Sequence, residues 1–133
     1  QLYQNDFVLV NLNDLIQKDE QGNLSFNGLA LPEGKKPLVL SQDDVSYYEY
    51  MDNSGFPSRL VVSNNNEIKN VYKEKDKEEI GDFDMVPLID AFVKKHPDFS
   101  YRGAKGTLAL TGYNGVLGYR TSKSCRCTAR PTK

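Results

Sequence analysis

Short apolar runs separated by polar punctuation run along this chain, and their periods differ. Phe7-Val8-Leu9-Val10 is an uninterrupted apolar run ending at Asn11, which predicts a buried strand. Asn13-Asp14-Leu15-Ile16 reads as the start of a helical turn, and residues 19–23 and 32–37, rich in Gly, Pro, Asn and Asp, read as turns. Between those turns Leu24, Phe26, Leu29 and Leu31 follow no clear period. Residues 37–41 (Pro-Leu-Val-Leu-Ser) predict a second strand, of the continuous apolar kind buried on both faces of a parallel sheet. Residues 59–63 and 67–72, joined by Asn64-Asn65-Asn66, predict a β-hairpin. Over 84–95 the apolar positions 85, 88, 89, 92 and 93 recur at helical spacing. Asp84 caps that helix, Pro87 lies in its first turn, Lys94-Lys95-His96 suit its C-terminal end, and Pro97 stops it. Residues 106–111 predict a third strand, so that strand, helix and strand imply a right-handed βαβ crossover and an α/β fold with parallel strands.

Composition narrows the classes of function. The chain has 133 residues with a hydrophobic fraction of 38% and a charged fraction of 26%, enough for one domain with a core. Its 17 basic and 18 acidic residues leave no net field to recruit nucleic acid or an anionic membrane. No apolar run approaches the roughly 18 residues of a transmembrane helix. Gln1 to Asp6 carries neither the basic start nor the apolar stretch of a signal peptide, and a chain opening on Gln reads as excised from a longer one. Residues 73–79 are almost all charge and predict a solvated loop. From Thr121 onward there are four basic residues, no acid and almost nothing to build a core, so 121–133 reads as a disordered, non-native tail. Cys125 and Cys127, within it, lack upstream soft partners for a four-ligand zinc site.

The candidate chemistry gathers after the second strand. Asp43 and Asp44 leave that strand pointing in different directions, so one could bind a cation while the other moves a proton, as metal-assisted hydrolysis requires. The same pair also suits capping of the turn that follows. Tyr47, Tyr48 and Tyr50 come directly after it, with Phe56 close behind, and Tyr113 lies in a loop punctuated by Gly112, Gly115 and Gly118. Aromatic faces beside carboxylates suit sugar rings, and tyrosines equally serve as packing with one polar tip. The glycine spacings match neither the dinucleotide nor the Walker pattern and read as turns and close packing. His96, the sole histidine, fits a helix end better than a catalytic role.

These residues resemble a known family. Leu40-Ser41-Gln42-Asp43-Asp44-Val45 is similar to the first motif of the polysaccharide deacetylase (NodB-like) family, Leu-Thr-Phe-Asp-Asp-Gly, with Gln42 and Val45 standing where the family has Phe and Gly. The lead-in from Leu2 to Val10, Leu31-Pro32, the stretch Lys36 to Leu40, and the segment from His96 to Tyr113 resemble Gram-positive bacterial members, so that the likeness covers residues 1–120. The resemblance implies the N-terminal part of a (β/α) barrel with parallel strands and an inserted hairpin. It implies Asp43 as catalytic base and Asp44 as ligand of a divalent metal, usually zinc, whose bound water attacks an acetyl group on an amino-sugar polymer. Tyr47, Tyr48 and Tyr113 are then the candidate substrate contacts. The implied partner is a polysaccharide or peptidoglycan-type glycan, and the implied location extracellular or at the cell envelope. The family's His-Ser/Thr-x-x-His ligands have no counterpart in residues 114–133. The expectation is therefore a truncated, poorly metallated and inactive deacetylase, with a non-catalytic carbohydrate-binding or interaction module as the alternative. The open strand edges of a half sheet further predict a homodimer.

Overall fold

The computed structural model describes residues 1–120, so the Cys125–Cys127 pair and the expected disordered tail lie outside the described residues. The fold is mixed α/β, mostly strand with little helix. The strands are β1 (Phe7–Leu9), β2 (Ile16–Lys18), β3 (Leu24–Phe26), β4 (Lys36–Leu38), β5 (Ser41–Asp43), β6 (Pro57–Val62), β7 (Ile68–Glu74), β8 (Lys77–Gly81) and β9 (Thr107–Ala109). The helices are α1 (Leu12–Leu15) and α2 (Met85–Lys95), with several single 3-10 turns. The strands form pairs β1–β4, β2–β3 and β5–β9 and one three-stranded sheet β6–β7–β8, and none of these sheets closes into a barrel. The residues divide into two compact units, one of Gln1–Gln42 with Leu88–Leu108, the other of Asp43–Pro87 with the described chain from Ala109.

In the first unit the apolar run at 7–10 does become the central strand. β1 pairs in parallel with β4, Phe7 opposite Lys36 and Leu9 opposite Leu38, and Leu9 also bridges Ser100 in parallel. Leu9, Phe99 and Ala104 are buried, with Tyr3, Phe7, Leu38, Leu40, Ile89 and Val93 packed against them. Full burial of a side chain such as Leu9 contributes about 2 kcal/mol. Ile89 and Val93 bring the predicted helical stripe onto this core, whereas Leu88 is exposed.

The expected second strand is corrected in extent and burial. Residues 36–38 form β4 and 41–43 form β5, with no ladder across Val39 and Leu40. β4 is exposed or half-buried along its length, not covered on both faces. Of the expected crossover, β5, which starts at the end of the second predicted strand, pairs with β9 inside the third, with α2 and the hairpin between them in sequence.

In the second unit the predicted hairpin is present as β6 and β7, antiparallel from Pro57 opposite Tyr72 to Val62 opposite Ile68. The charged run at 73–79 is not a loop. It is the end of β7, a tight turn with Lys75 in the left-handed region, and the start of β8, which pairs Lys73 with Glu78 and Glu74 with Lys77. The charges are accommodated because they face solvent and pair across strands. Glu78 meets both Arg59 at 3.2 Å and Lys73 at 3.3 Å. Beneath them Val45, Leu60 and Val71 are buried with Ser46, Ser58 and Asn70.

Candidate functional site

Asp43 ends β5 and Asp44 follows it with φ 54°, in the left-handed region that Asp tolerates better than bulkier residues. Tyr47 is also left-handed, at φ 49°. These conformations cost on the order of 1 kcal/mol or more each, so the surroundings must hold them. The loop at 115–120 does so. Leu117 N–H donates to the Val45 carbonyl at 3.0 Å and Gly118 N–H to the Ser46 carbonyl at 3.0 Å. The Arg120 guanidinium donates to the carbonyls of Ser46 (3.1 Å), Asn114 (2.7 Å) and Tyr47. Gly118, at φ 88°, leaves no room for a side chain, since a Cβ there would overlap Arg59 and the Ser58 carbonyl.

That clamp separates the tyrosines by role. The Tyr47 hydroxyl donates to the Asp84 carboxylate, and the fully buried Asn70 amide donates to both, at 3.2 Å to Tyr47 and 3.0 Å to Asp84. The Asn70 carbonyl accepts the N–H groups of Phe83 and Asp84, each at 3.0 Å, while Asp84 accepts Val86 N–H at the start of α2. Burial, followed by the neighbouring Asp84 charge, pushes the Tyr47 phenol well above its ordinary range. Tyr47, which the sequence reading placed among the sugar contacts, has its hydroxyl engaged in this network.

Tyr48 and Tyr50, on alternate positions, take the other side. Their rings stack nearly parallel, 5.4 Å apart with 7° between planes, and Tyr113 meets Tyr48 edge-on at 5.7 Å. Tyr50 is 74% and Tyr113 69% exposed. The Tyr48 hydroxyl donates to Asp44 at 2.7 Å. Its pKa is raised. The largest single influence, hydrogen bonding with Thr111, acts downward, but the bond to Asp44, partial desolvation and the Asp44 charge outweigh it. Glu49 N–H donates to the Asn114 side chain at 3.3 Å, tying the 48–50 turn beside Tyr113. Asp43 is exposed, and its carboxylate has no hydrogen-bond or ion-pair partner among the described residues.

The structure thus brings together Asp44, Tyr48 and Tyr113 from the predicted set, stacks Tyr50 on Tyr48, and engages the Tyr47 hydroxyl with Asp84 and Asn70. Period-two alternation after Asp44 was the available signal for that split. The roles of Asn70 and Arg120 left no local pattern, because most of their partners are 13 to 74 positions away in sequence. Among the described residues the donor set does not fit a catalytic zinc. Such an ion takes three protein ligands, and no group of three or more His, Cys, Asp or Glu able to hold a metal is found among the described residues. His96 lies in the first unit with its ring against Tyr3 (4.7 Å) and Phe92 (4.6 Å). Among the described residues no helix is long and apolar enough to cross a membrane. Comparison with family models, curated proteins and solved structures returns no match to this chain.

Proposed function

We propose that the chain binds a glycan on the surface formed by Tyr48, Tyr50 and Tyr113, with Asp44 as the adjoining hydrogen-bond acceptor. The observation that carries this reading is the exposure of two tyrosine rings braced on a third, whose hydroxyl is fixed to a carboxylate. Exposed aromatic faces accept the C–H faces of sugar rings, and a carboxylate accepts sugar hydroxyls. Burial alone does not account for Tyr50 and Tyr113, since both remain mostly in water. Because these rings carry little of the core, Tyr50→Ala and Tyr113→Ala fold normally and each weaken binding of an N-acetylglucosamine oligomer by about tenfold, a loss of about 1.4 kcal/mol. Calorimetric titration reads this directly, and unchanged affinity in both variants would remove the support for the site.

A second reading is favoured by the position of Asp43 and Asp44 at the end of β5. In it the chain is a segment of a metal-dependent polysaccharide deacetylase of NodB type, the parallel β1–β4 pair being a piece of its barrel. Asp43 is then the base and Asp44 one ligand of a divalent metal such as zinc, with further ligands supplied from outside the described residues. The chain acting alone then binds zinc weakly, through Asp44, and releases no acetate from acetylated glycans. A zinc titration that is tight and unchanged by Asp44→Asn would contradict it. An extracellular or envelope location and self-association through an open edge such as β8, which among the described residues pairs only with β7, belong to the same proposal.

A further inference from the structure

We infer that Asn27 is a site of spontaneous modification, converting to aspartate and isoaspartate by ring closure onto the Gly28 nitrogen and hydrolysis by water. The chain holds two Asn-Gly steps, Asn27-Gly28 and Asn114-Gly115. In such a step the glycine carries no Cβ to shield its nitrogen, so the preceding side chain can close on it. The structure separates the two steps. Asn27 and Gly28 are both exposed, in the irregular segment that follows β3. Neither the Asn27 carboxamide nor the Gly28 N–H has a hydrogen-bond partner among the described residues. Nothing lies within 4 Å of the place a Cβ on Gly28 would occupy. Asn114, in contrast, is half-buried and Gly115 buried. The Asn114 side-chain carbonyl accepts the Glu49 N–H at 3.3 Å and its main-chain carbonyl accepts Arg120 at 2.7 Å. The exposed Asn53-Ser54 step is also held, since the Asn53 side-chain carbonyl accepts the Lys75 N–H at 2.8 Å and Ser54 N–H donates to Met51. Ring closure at Asn114 or Asn53 must first break these contacts, whereas at Asn27 the reacting groups turn freely in water.

The Gly28 nitrogen attacks the side-chain carbonyl carbon of Asn27, forming a C–N bond. The bond from that carbon to the carboxamide nitrogen breaks, and ammonia leaves with the Gly28 proton. Water then opens the cyclic imide at either carbonyl, giving aspartate or isoaspartate. Nothing is oxidised or reduced, and the net exchange is carboxamide and water for carboxylic acid and ammonia. Either product places a new carboxylate beside the β2–β3 pair. Isoaspartate also lengthens the main chain by a carbon directly after the Asn27 N–H, which donates to the Leu15 carbonyl at 2.8 Å.

The test incubates the full chain in mildly alkaline buffer, digests it, and follows each peptide by mass spectrometry for the mass gain of an amide-to-acid exchange. The peptide with Asn27 is expected to convert about tenfold or more faster than the one with Asn114, whose conversion waits on local opening. In urea the two rates should converge, because both are then free Asn-Gly steps. Gly28→Ala should slow conversion at Asn27, and should do so in urea as well, where folding of the variant plays no part. Equal rates at the two steps in the folded chain, or faster conversion at Asn114, overturn the inference. So does an Asn27 that persists in the folded chain while converting in urea. A rate difference that survives in urea also overturns it, since neighbouring sequence and not the fold would then set the site.

Discussion

Asn70 satisfies all of its amide while wholly buried, linking Tyr47, Phe83 and Asp84 across β7, the turn after β5 and the start of α2. Removing it leaves two backbone N–H groups and a tyrosine–carboxylate pair without their shared partner. Asn70→Ala is accordingly expected to cost about 3 kcal/mol, more than most point substitutions, as read by urea unfolding with Asn70→Asp as the shape-matched control. Tyr47, in the same network, makes stability pH-dependent on the alkaline side. Its folded-state pKa is raised, so the unfolded chain loses the phenolic proton first. The stabilisation is complete below about pH 10, the value of a free tyrosine, and falls as pH rises beyond it. Tyr47→Phe should flatten that decline in thermal melts across alkaline pH. None of this network was legible in the sequence, where Asn70 is one polar residue within a strand-like run and Tyr47 one of three neighbouring tyrosines.

At the scale of elements, local chemistry predicted what local chemistry decides. The β6–β7 hairpin, the capped α2 helix and the strand at β1 were all readable, because turn residues, helical period and an apolar run each act within a few positions. The run at 73–79 was misread for the complementary reason. Its charges signal solvent exposure, which an edge strand shares with a loop, and only the cross-strand meeting of Glu78 with Arg59 and Lys73 distinguishes the two. The strand at 37–41 was placed too deep, since an apolar run does not reveal whether a second layer covers it. Gly118 was read as a close-packing glycine, and its lack of room beside Arg59 and Ser58 agrees with that. Gly118→Ala should destabilise the second unit by about 2 kcal/mol through both overlap and the left-handed backbone. Because this glycine anchors the clamp over Val45 and Ser46, the same variant should loosen glycan affinity, measurable alongside its melting temperature.

For the molecule as a whole, the two units carry different burdens. The first is built around Leu9 and Phe99 and holds His96 in an aromatic stack. The second holds every residue of the proposed binding surface and both aspartates of the deacetylase-like motif. Of the residues in the proposed surface, Asp44, Tyr48 and Tyr113 were named from the sequence as site residues, and Tyr50 joins them through its stacking on Tyr48, which adjacency alone does not reveal. The central claim is glycan recognition by Tyr48, Tyr50 and Tyr113, and the most direct test is an NMR titration that follows the tyrosine ring resonances as an amino-sugar oligomer is added. The account predicts saturable shifts of the Tyr48, Tyr50 and Tyr113 rings with Tyr3 and Tyr101 unmoved. Shifts confined to other tyrosines, or none at saturating oligomer, would contradict it.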